Sequence, residues 1–297
     1  MGGRAVLLFL VALLACGQIP LRVDKDLVLV PVTVYDRSDR AMPGLEREHF
    51  RVFDDNVEQT VSQFWMDDEP LAIGFVFDTS ASMETKLSRA REAATAFFQA
   101  SNEEDEFLLI EFNNRPRLSV PLTHDTGELG ARLALARAQG RTALVDAVYL
   151  GVQEIRKSSM SRKALIVVSD GGDNASRYRA NELKRLVRES DVLIYGIGIY
   201  QPGLGRITAG ELRGPNLLAE IAQESGGRAV EVDRLDNLPD VAGKIGLELR
   251  NRYVLGFSPP PSQRDGRYHR LQIKLTPPRE LPPMRAHWRA GYYAPVQ

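Results

Sequence analysis

The chain has 297 residues and a formal net charge of −1, and hydrophobic residues make up 43% of it. This length suits one large domain or two modest ones, and the composition is that of a globular protein with a full hydrophobic core. The near-neutral charge excludes a whole-protein electrostatic attraction to nucleic acid or to acidic membranes. The single cysteine, Cys16, excludes an intramolecular disulfide.

The first feature along the chain is an apolar run at residues 5–15. It is too short to span a bilayer, but it has the length of the hydrophobic part of a secretory signal. We therefore predict a signal peptide over residues 1–17 and an exported protein, located in the periplasm, in the cell envelope or outside the cell. Two processing routes remain open. Residues 13–16 resemble a bacterial lipobox, which would attach a lipid anchor to Cys16, whereas cleavage before Gln18 would release the chain.

A small β segment is predicted over residues 21–66. Val-rich and alternating stretches predict strands at 27–35, 50–53 and 57–64. Pro31 lacks the N–H that a strand needs for pairing on both sides, so we expect the first strand to be an edge strand or to carry a bulge. Residues 54–56 predict a turn, and the polar stretch at 66–70 is interpreted as a linker.

After this linker the pattern changes to strands that alternate with helices. The runs at 71–77 and 164–168 are continuously apolar, which is typical of strands covered on both faces. Apolar residues at 87–98 and 142–155 recur at helical spacing. Further strands are predicted at 107–112, 117–122, 192–199 and 228–232, and further helices at 182–190, 216–223 and 238–251. This alternation predicts an α/β domain over about residues 70–250, with a doubly wound, mainly parallel sheet flanked by helices.

Residues 252–295 return to β character. A strand is predicted at 253–257, and apolar residues alternate with polar ones at 271–275 and 284–290. Neither terminal β segment has enough strands to be stable alone. We therefore expect the N- and C-terminal segments to pair into one small β domain beside the α/β domain.

A D-x-S-x-S motif follows the first buried strand of the α/β domain. It consists of Asp78, Ser80 and Ser82, and a predicted helix comes directly after it. The carboxyl ends of the strands are where open α/β sheets bind ligands. Three side-chain oxygens at alternate positions of a tight loop can converge on one point. Taken alone, however, the motif also fits an ordinary strand-to-helix turn in which Ser82 caps the helix.

Two further loops favour a ligand site over a simple turn. Thr142 stands at the start of a predicted helix, and Asp170 follows the buried strand at 164–168. Both residues therefore belong on the same rim of the sheet as the D-x-S-x-S motif. Together the loops offer five oxygen ligands with room for water and one outside ligand: Asp78, Ser80, Ser82, Thr142 and Asp170.

An all-oxygen set of this kind selects a hard divalent cation. Mg²⁺ is the expected ion, and Mn²⁺ would also fit. We see no cluster of cysteine or histidine side chains that would hold zinc. Two carboxylates neutralise the ion incompletely, so the ion would attract a carboxylate from a partner. This is a mechanism for binding rather than for a reaction.

The motif Asp78-x-Ser80-x-Ser82 with Thr142 and Asp170, in that order and at those strand ends, resembles the metal ion-dependent adhesion site (MIDAS) of von Willebrand factor A domains. The resemblance implies that the three hydroxyl groups ligate the ion and that the two carboxylates ligate it directly or through water. It also implies a protein partner that offers an acidic side chain. The role of the neighbouring Asp173 is left open between a hydrogen bond within the loop and support of a ligand.

The whole chain is also similar to a family of exported bacterial von Willebrand factor A-related proteins known mainly from acidobacteria. The similarity is carried by residues 27–40, residues 44–55 and the ending at 253–295. It implies that the flanking β segments belong to the same family unit.

Enzyme interpretations fit the sequence less well. Asp78 could be the nucleophile of a phosphoryl-transferring enzyme of the haloacid dehalogenase type, but Ser80 stands where such enzymes need a second acid, and no lysine is evidently placed to assist. A serine hydrolase elbow, a Walker motif and a dinucleotide-binding glycine motif are not found. We therefore expect no enzyme activity. The four histidines are expected at the surface: His49, His124, His269 and His287.

One alternative within the binding class stays open. The metal could serve only to order the loops, and the partner would then bind the small β domain. The sequence indicates neither the identity of the partner nor the oligomeric state.

Overall fold

The computed structural model describes residues 27–99, 101–170, 172–199, 209–278 and 280–296. Within 209–215 it describes the backbone only. The predicted signal peptide and Cys16 lie outside the described residues. None of the described helices is both long enough and apolar enough to cross a membrane.

The elements follow one another in three groups along the chain. The N-terminal segment contains β1 (Val28–Asp36), β2 (Phe50–Asp54), β3 (Val57–Gln59) and β4 (Gln63–Asp67). The strands of the central segment are β5 (Leu71–Asp78), β6 (Glu106–Phe112), β7 (Pro116–Thr123), β8 (Arg162–Ser169), β9 (Val192–Ile199) and β10 (Ala229–Val232). Its helices are α1 (Leu87–Gln99), α2 (Thr126–Ala134), α3 (Leu144–Ile155), α4 (Ala180–Arg188), α5 (Ala209–Ser225) and α6 (Leu238–Arg250). The C-terminal segment contains β11 (Arg252–Phe257), β12 (Tyr268–Leu275), β13 (Met284–Trp288) and β14 (Gly291–Tyr293).

The central segment forms a six-stranded sheet in the order β10-β9-β8-β5-β6-β7. Only β7 runs antiparallel to its neighbour. The side chains of α1 and α6 pack on one face of the sheet, and those of α3, α4 and α5 pack on the other. Every residue of β5 and β9 is buried, because helices cover both faces of these strands. The predicted doubly wound, mainly parallel sheet is thereby confirmed.

The terminal segments form two antiparallel sheets of four strands each. One has the order β13-β1-β11-β4 and the other the order β14-β12-β2-β3, so each sheet takes two strands from either end of the chain. The two sheets share a hydrophobic core, and we call this unit the β-sandwich. Large side chains of that core include Leu45, Phe50, Tyr253, Leu255, Phe257, Ile273 and Tyr292. The terminal segments therefore pair with each other as the sequence predicted.

Two details of the β-sandwich differ from the sequence prediction. The stretch at 57–64 is not one strand, because β3 and β4 belong to different sheets. Val61 lies between them and is buried in the shared core, so the chain crosses from one sheet to the other there. The predicted linker at 66–70 was placed too early, since Met66 and Asp67 belong to β4.

The prediction that β1 is an edge or bulged strand is also wrong. β1 is an inner strand that pairs with β11 on one side and β13 on the other. Pro31 is tolerated because pairing with β13 begins only at Val32, so the part of β1 that contains Pro31 is paired on one side only.

Asp67, Arg162 and Arg252 join the β-sandwich to the α/β domain. Asp67 ends β4, and its Oδ2 atom lies 3.0 Å from Arg162 Nε at the start of β8 and 3.0 Å from Arg252 Nη2 at the start of β11. All three side chains are buried. Burial, together with the charge of Arg252, lowers the pKa of Arg162 to about 10. Because this joint lies at the amino ends of the parallel strands, their carboxyl ends form the opposite rim, away from the β-sandwich.

Candidate metal centre

The first predicted ligand, Asp78, ends the buried strand β5. Its Oδ1 accepts a hydrogen bond from the Ser80 backbone N–H (2.8 Å), and its Oδ2 accepts one from Ser169 Oγ (2.6 Å). Burial raises the pKa of Asp78 to about 7, and the nearby carboxylate of Asp170 contributes to the rise. A cation at this rim would favour the ionised form of Asp78.

Ser80 and Ser82 present their hydroxyl groups side by side. Their Oγ atoms lie 3.1 Å apart, with Ser80 buried and Ser82 exposed to solvent. Between Ser82 and α1 the buried side chain of Met83 anchors the loop in the core. The helix-cap interpretation of Ser82 receives no support, since α1 begins only at Leu87 and Ser82 Oγ faces another hydroxyl group.

Thr142 is buried in the second of the three loops, which connects α2 to α3. Helix α3 begins two residues later, at Leu144, so Thr142 precedes the helix rather than opening it. The backbone N–H of Thr142 donates to Asn174 Oδ1 (3.0 Å), and its carbonyl oxygen accepts from the N–H groups of Asn174 (2.9 Å) and Ala175 (3.0 Å). The third loop, which connects β8 to α4 and contains Asp170 and Asn174, therefore fixes the position of Thr142.

Direct hydrogen bonds join the three loops in a closed set. The Ala81 N–H donates to the carbonyl oxygen of Gly140 (3.1 Å), which links the first loop to the second. Asn174 links the second loop to the third, and the bond from Ser169 to Asp78 links the third to the first. Sequence reasoning located all five candidate residues on one rim, and this bonding pattern accounts for how the rim is held.

A lysine that sequence reasoning missed completes the site. Lys86 Nζ lies 3.0 Å from Asp170 Oδ2, and the two side chains are 14% and 4% exposed. The sequence analysis found no lysine evidently placed to assist Asp78, and the structure places Lys86 against Asp170. The signal that could have revealed Lys86 is its position four residues after Ser82, in the turn that leads into α1. The ammonium group is a cation already held against one carboxylate of the rim.

Asp173 stabilises the second loop through hydrogen bonds. Its Oδ1 accepts hydrogen bonds from the Leu144 N–H at the start of α3 (3.0 Å) and from Ser176 Oγ (2.6 Å). Of the two roles that the sequence left open, the hydrogen bond within the loops is the one observed. Asp146 makes a similar connection, since its Oδ1 accepts from the N–H groups of Arg177 and Tyr178 (2.9 Å each).

The chemistry of this donor set fits a hard divalent cation. Burial and the charge of Asp170 disfavour the ionised form of Asp78 unless a cation is nearby, and the neutral hydroxyl groups of Ser80 and Ser82 stand beside this carboxyl group. Lys86 shows that the rim tolerates a cation, but a single ammonium charge contacts Asp170 only. Asp78 keeps its pKa near neutrality in its presence.

A second cluster of polar side chains lies in the β-sandwich and contradicts one expectation. His269, predicted at the surface, is buried, and its ring nitrogens lie 2.8 Å from Asp54 Oδ1 and 3.1 Å from Asp265 Oδ1. Potential ligand atoms of Asp54, Asp55 and His269 all lie within 4.8 Å of one another. The Tyr292 hydroxyl donates to the other oxygen of Asp54 (2.8 Å). Hydrogen bonds within the chain thus account for this cluster as a structural network.

This network predicts how stability changes with pH. Burial lowers the pKa of His269, but the hydrogen bonds to Asp54 and Asp265 outweigh it, so the pKa is raised above its ordinary value of about 6.5. Protonated His269 therefore stabilises the fold fully below about pH 6.5, and this contribution is lost as the pH rises through the raised folded-state pKa. We expect the free energy of unfolding to fall over that window in the wild type.

Denaturant unfolding between pH 6 and pH 9 checks this prediction. The His269→Gln variant should lose the pH-dependent contribution, and His124→Gln, which changes an exposed histidine, should keep it. Parallel curves for the wild type and His269→Gln would contradict the assignment.

Comparison with known proteins places this geometry in a family. Residues 72–244, more than half of the chain, match the model of the von Willebrand factor type A domain. A solved von Willebrand factor type A protein from Catenulispora acidiphila aligns over 89% of this chain and 73% of its own, with a TM-score of 0.52 and 12% identity. Proximal thread matrix protein 1 of the mussel byssus, solved with a zinc-occupied MIDAS motif, aligns over 66% of this chain and 49% of its own, with a TM-score of 0.52 and 16% identity. At these identities the two structures show a shared fold.

A protein of Synechocystis described as uncharacterized is 29% identical over 110 residues. The match covers 35% of this chain and spans about a quarter (26%) of that relative's length. The fold, the family match and the position of the D-x-S-x-S motif at the carboxyl end of β5 agree. The chain belongs to the von Willebrand factor type A domain family, whose domains are generally protein-interaction and adhesion modules.

Proposed function

We propose that the chain is an exported, metal-dependent protein-binding module, and that a divalent ion at the rim of its sheet recruits an acidic side chain of a partner. The ion is Mg²⁺ in the first instance, with Mn²⁺ as the second candidate. Its proposed ligands are Asp78, Ser80, Ser82, Thr142 and Asp170. In the cell the module would act in the periplasm or envelope, anchored through Cys16 or released.

The observation that carries this proposal is the pair of buried carboxyl groups at one rim. Burial, together with the nearby charge of Asp170, raises the pKa of Asp78 to about 7. Two like charges at a buried site are unfavourable unless a cation compensates them. The hydroxyl groups of Ser80 and Ser82 stand beside this pair, and Ser82 faces solvent. Support from outside the chain comes from the mussel byssus protein, whose MIDAS motif holds zinc.

Each residue of the rim would then have a separate part in binding. Asp78, fixed by Ser80 and Ser169, would hold its carboxylate in one orientation. Asp170 would lose its contact with the ammonium group of Lys86 and bind the ion instead. Thr142, fixed by Asn174, would contribute a hydroxyl group. When bound, the ion supplies an open coordination position for an outside carboxylate. The loops need little rearrangement to do this, because hydrogen bonds already join all three.

Calorimetric titration of the metal-stripped mature protein with Mg²⁺ and with Mn²⁺ tests the proposal. We expect one saturable site, and we expect a short peptide with a single glutamate to bind only after the metal has been added. A metal that binds without promoting peptide binding, and that raises the melting temperature, would instead support a purely structural ion. A folded protein that binds neither ion would contradict the proposal.

Lys86 provides a prediction of its own. Replacing it by Met removes an ammonium group that competes with the incoming ion for Asp170, so we expect Mg²⁺ affinity to rise roughly tenfold. Lys244→Met is the matched control, because it removes a lysine from an exposed ion pair with Asp240. Calorimetry with both variants measures the difference. An unchanged or weaker affinity in Lys86→Met would mean that Lys86 does not compete with the metal.

In a second candidate function, the partner binds the β-sandwich and the metal only orders the loops. One observation favours it: two large apolar side chains, Leu29 of β1 and Trp65 of β4, are exposed on the same face of one sheet. Exposed apolar groups of this kind can mark an interface. The Trp65→Ala variant separates the two candidates once a partner is in hand, since it should weaken binding only if the sandwich is the binding surface.

A further inference from the structure

A groove with a volume of about 570 Å³ opens directly beside the candidate metal centre. Thr79, which lies between Asp78 and Ser80, forms part of its wall. The backbone N–H of Gln139 donates to the carbonyl oxygen of Thr79 (2.8 Å), so the segment after α2 is fixed against the D-x-S-x-S loop. A ligand that reaches the metal rim from this side would therefore lie along the groove.

The charge of the groove is strongly one-sided. Its charged lining residues are four arginines and one glutamate: Arg115, Arg117, Arg132, Arg137 and Glu111. The remaining lining residues include two polar amides, Asn113 and Gln139. The whole chain carries a net charge of −1, so this excess of positive charge is local.

The arginines of the groove fall into two pairs. Arg117 and Arg132 contact the buried carboxylate of Glu111, at 3.2 Å and 2.6 Å, and are held in place by it. Arg115 and Arg137 are exposed, and neither forms an ion pair with a carboxylate in the described part of the chain. The glutamate thus orients one pair, and the other pair is left to face a ligand.

We propose that this groove binds an acidic segment of the partner protein, so that one carboxylate reaches the metal while following carboxylates pair with Arg115 and Arg137. The inference rests on the proposed function and narrows it from a single acidic side chain to a stretch with several. Guanidinium groups bind carboxylates through paired hydrogen bonds, which lysines cannot form. Leu135, which is 71% exposed at the same groove, would contact an apolar residue of that segment.

Two fluorescent peptides of equal length test the inference by anisotropy with the full mature protein. One is hexaglutamate, and the other carries a single glutamate among glycines and serines. In Mg²⁺ and low salt, the double variant Arg115→Ala, Arg137→Ala should bind hexaglutamate roughly tenfold more weakly than the wild type and the single-glutamate peptide equally well. The control Arg37→Ala, Arg47→Ala removes the same charge from exposed positions of the β-sandwich and should change neither affinity.

The outcomes separate this inference from the metal proposal. If a chelator abolishes all binding but the arginine variant matches the wild type, the groove is not the binding surface and the metal site stands. If hexaglutamate binds equally with chelator and binding is lost only in the arginine variant, the groove stands and the metal proposal fails. Equal losses in the arginine variant and in its control would reduce the effect to net charge and overturn the inference.

Discussion

Replacing Asp78 by Asn is expected to weaken Mg²⁺ binding by about 100-fold or more, since even the loss of an outer-shell partner of a metal ligand costs up to that factor. Asp78 is the buried acid on which the first and third loops converge. The amide has the same shape as the carboxylate, but it carries no charge to offer the ion. Calorimetric titration with Mg²⁺ measures the change.

The same substitution should leave the metal-free fold intact. The amide oxygen can accept from the Ser80 N–H, and the amide nitrogen can donate to Ser169 Oγ, so both hydrogen bonds have a replacement. The like-charge interaction with Asp170 also disappears. Asp233→Asn is a suitable control, because Asp233 is exposed and follows β10 at the same rim. Wild-type affinity for Mg²⁺ in Asp78→Asn would remove this residue from the metal centre.

The second large effect is expected at the joint between the two units. Asp67→Ala removes the one carboxylate that lies between Arg162 and Arg252 and leaves two buried guanidinium groups facing each other. Breaking a buried ion pair in this way costs about 3–5 kcal/mol in the free energy of unfolding. Burial and the charge of Arg252 lower the pKa of Arg162, and the charge of Asp67 opposes this lowering.

Urea unfolding of Asp67→Ala beside Asp68→Ala isolates that effect. Asp68 is the next residue in the chain and is exposed, so its removal should change stability by less than about 0.5 kcal/mol. A loss of under about 1 kcal/mol in Asp67→Ala would mean that the joint is solvated and carries little of the stability. Mg²⁺ affinity should be unchanged in both variants, because the joint lies at the opposite end of the parallel strands.

The α/β domain could be predicted from the sequence because its signals are local and strong. The strands β5, β8 and β9 are unbroken apolar runs, and α3 repeats apolar residues at helical spacing. Helix α2 was missed, because it is short and buries only Leu129 and Leu133.

The division of 57–64 between two sheets could not be predicted in the same way. Pairing partners of β3 and β4 lie in different parts of the chain, and local pattern does not report them. The presence of Pro31 in an inner strand could not be predicted for the same reason. It depends on the position at which β13 stops pairing with β1.

The candidate site shows the same difference between local and long-range signals. The sequence could suggest the five candidate ligands because each stands next to a recognisable strand or helix boundary: Asp78, Ser80, Ser82, Thr142 and Asp170. Lys86 was not found, since its contact with Asp170 spans 84 positions of the chain. The burial of His269 depends on pairing between β2 and β12, which are separated by the whole α/β domain. The contacts of Lys86 and His269 with distant residues cannot be predicted from the local sequence pattern.

The order of the strands also dictates the order in which the chain can fold. The hairpin of β2 and β3 can form as soon as it is synthesised. Among the described residues, β4 pairs with β11 alone, and β1 pairs with β11 and β13 apart from a single local bridge between Tyr35 and Ala41. Most of β1 and all of β4 therefore have no strand partner until the α/β domain and β11 have been synthesised. Such late, long-range pairing is slow and leaves strand edges open to other chains. A chaperone that shields β1 and β4 until β11 is available would prevent such contacts with other chains.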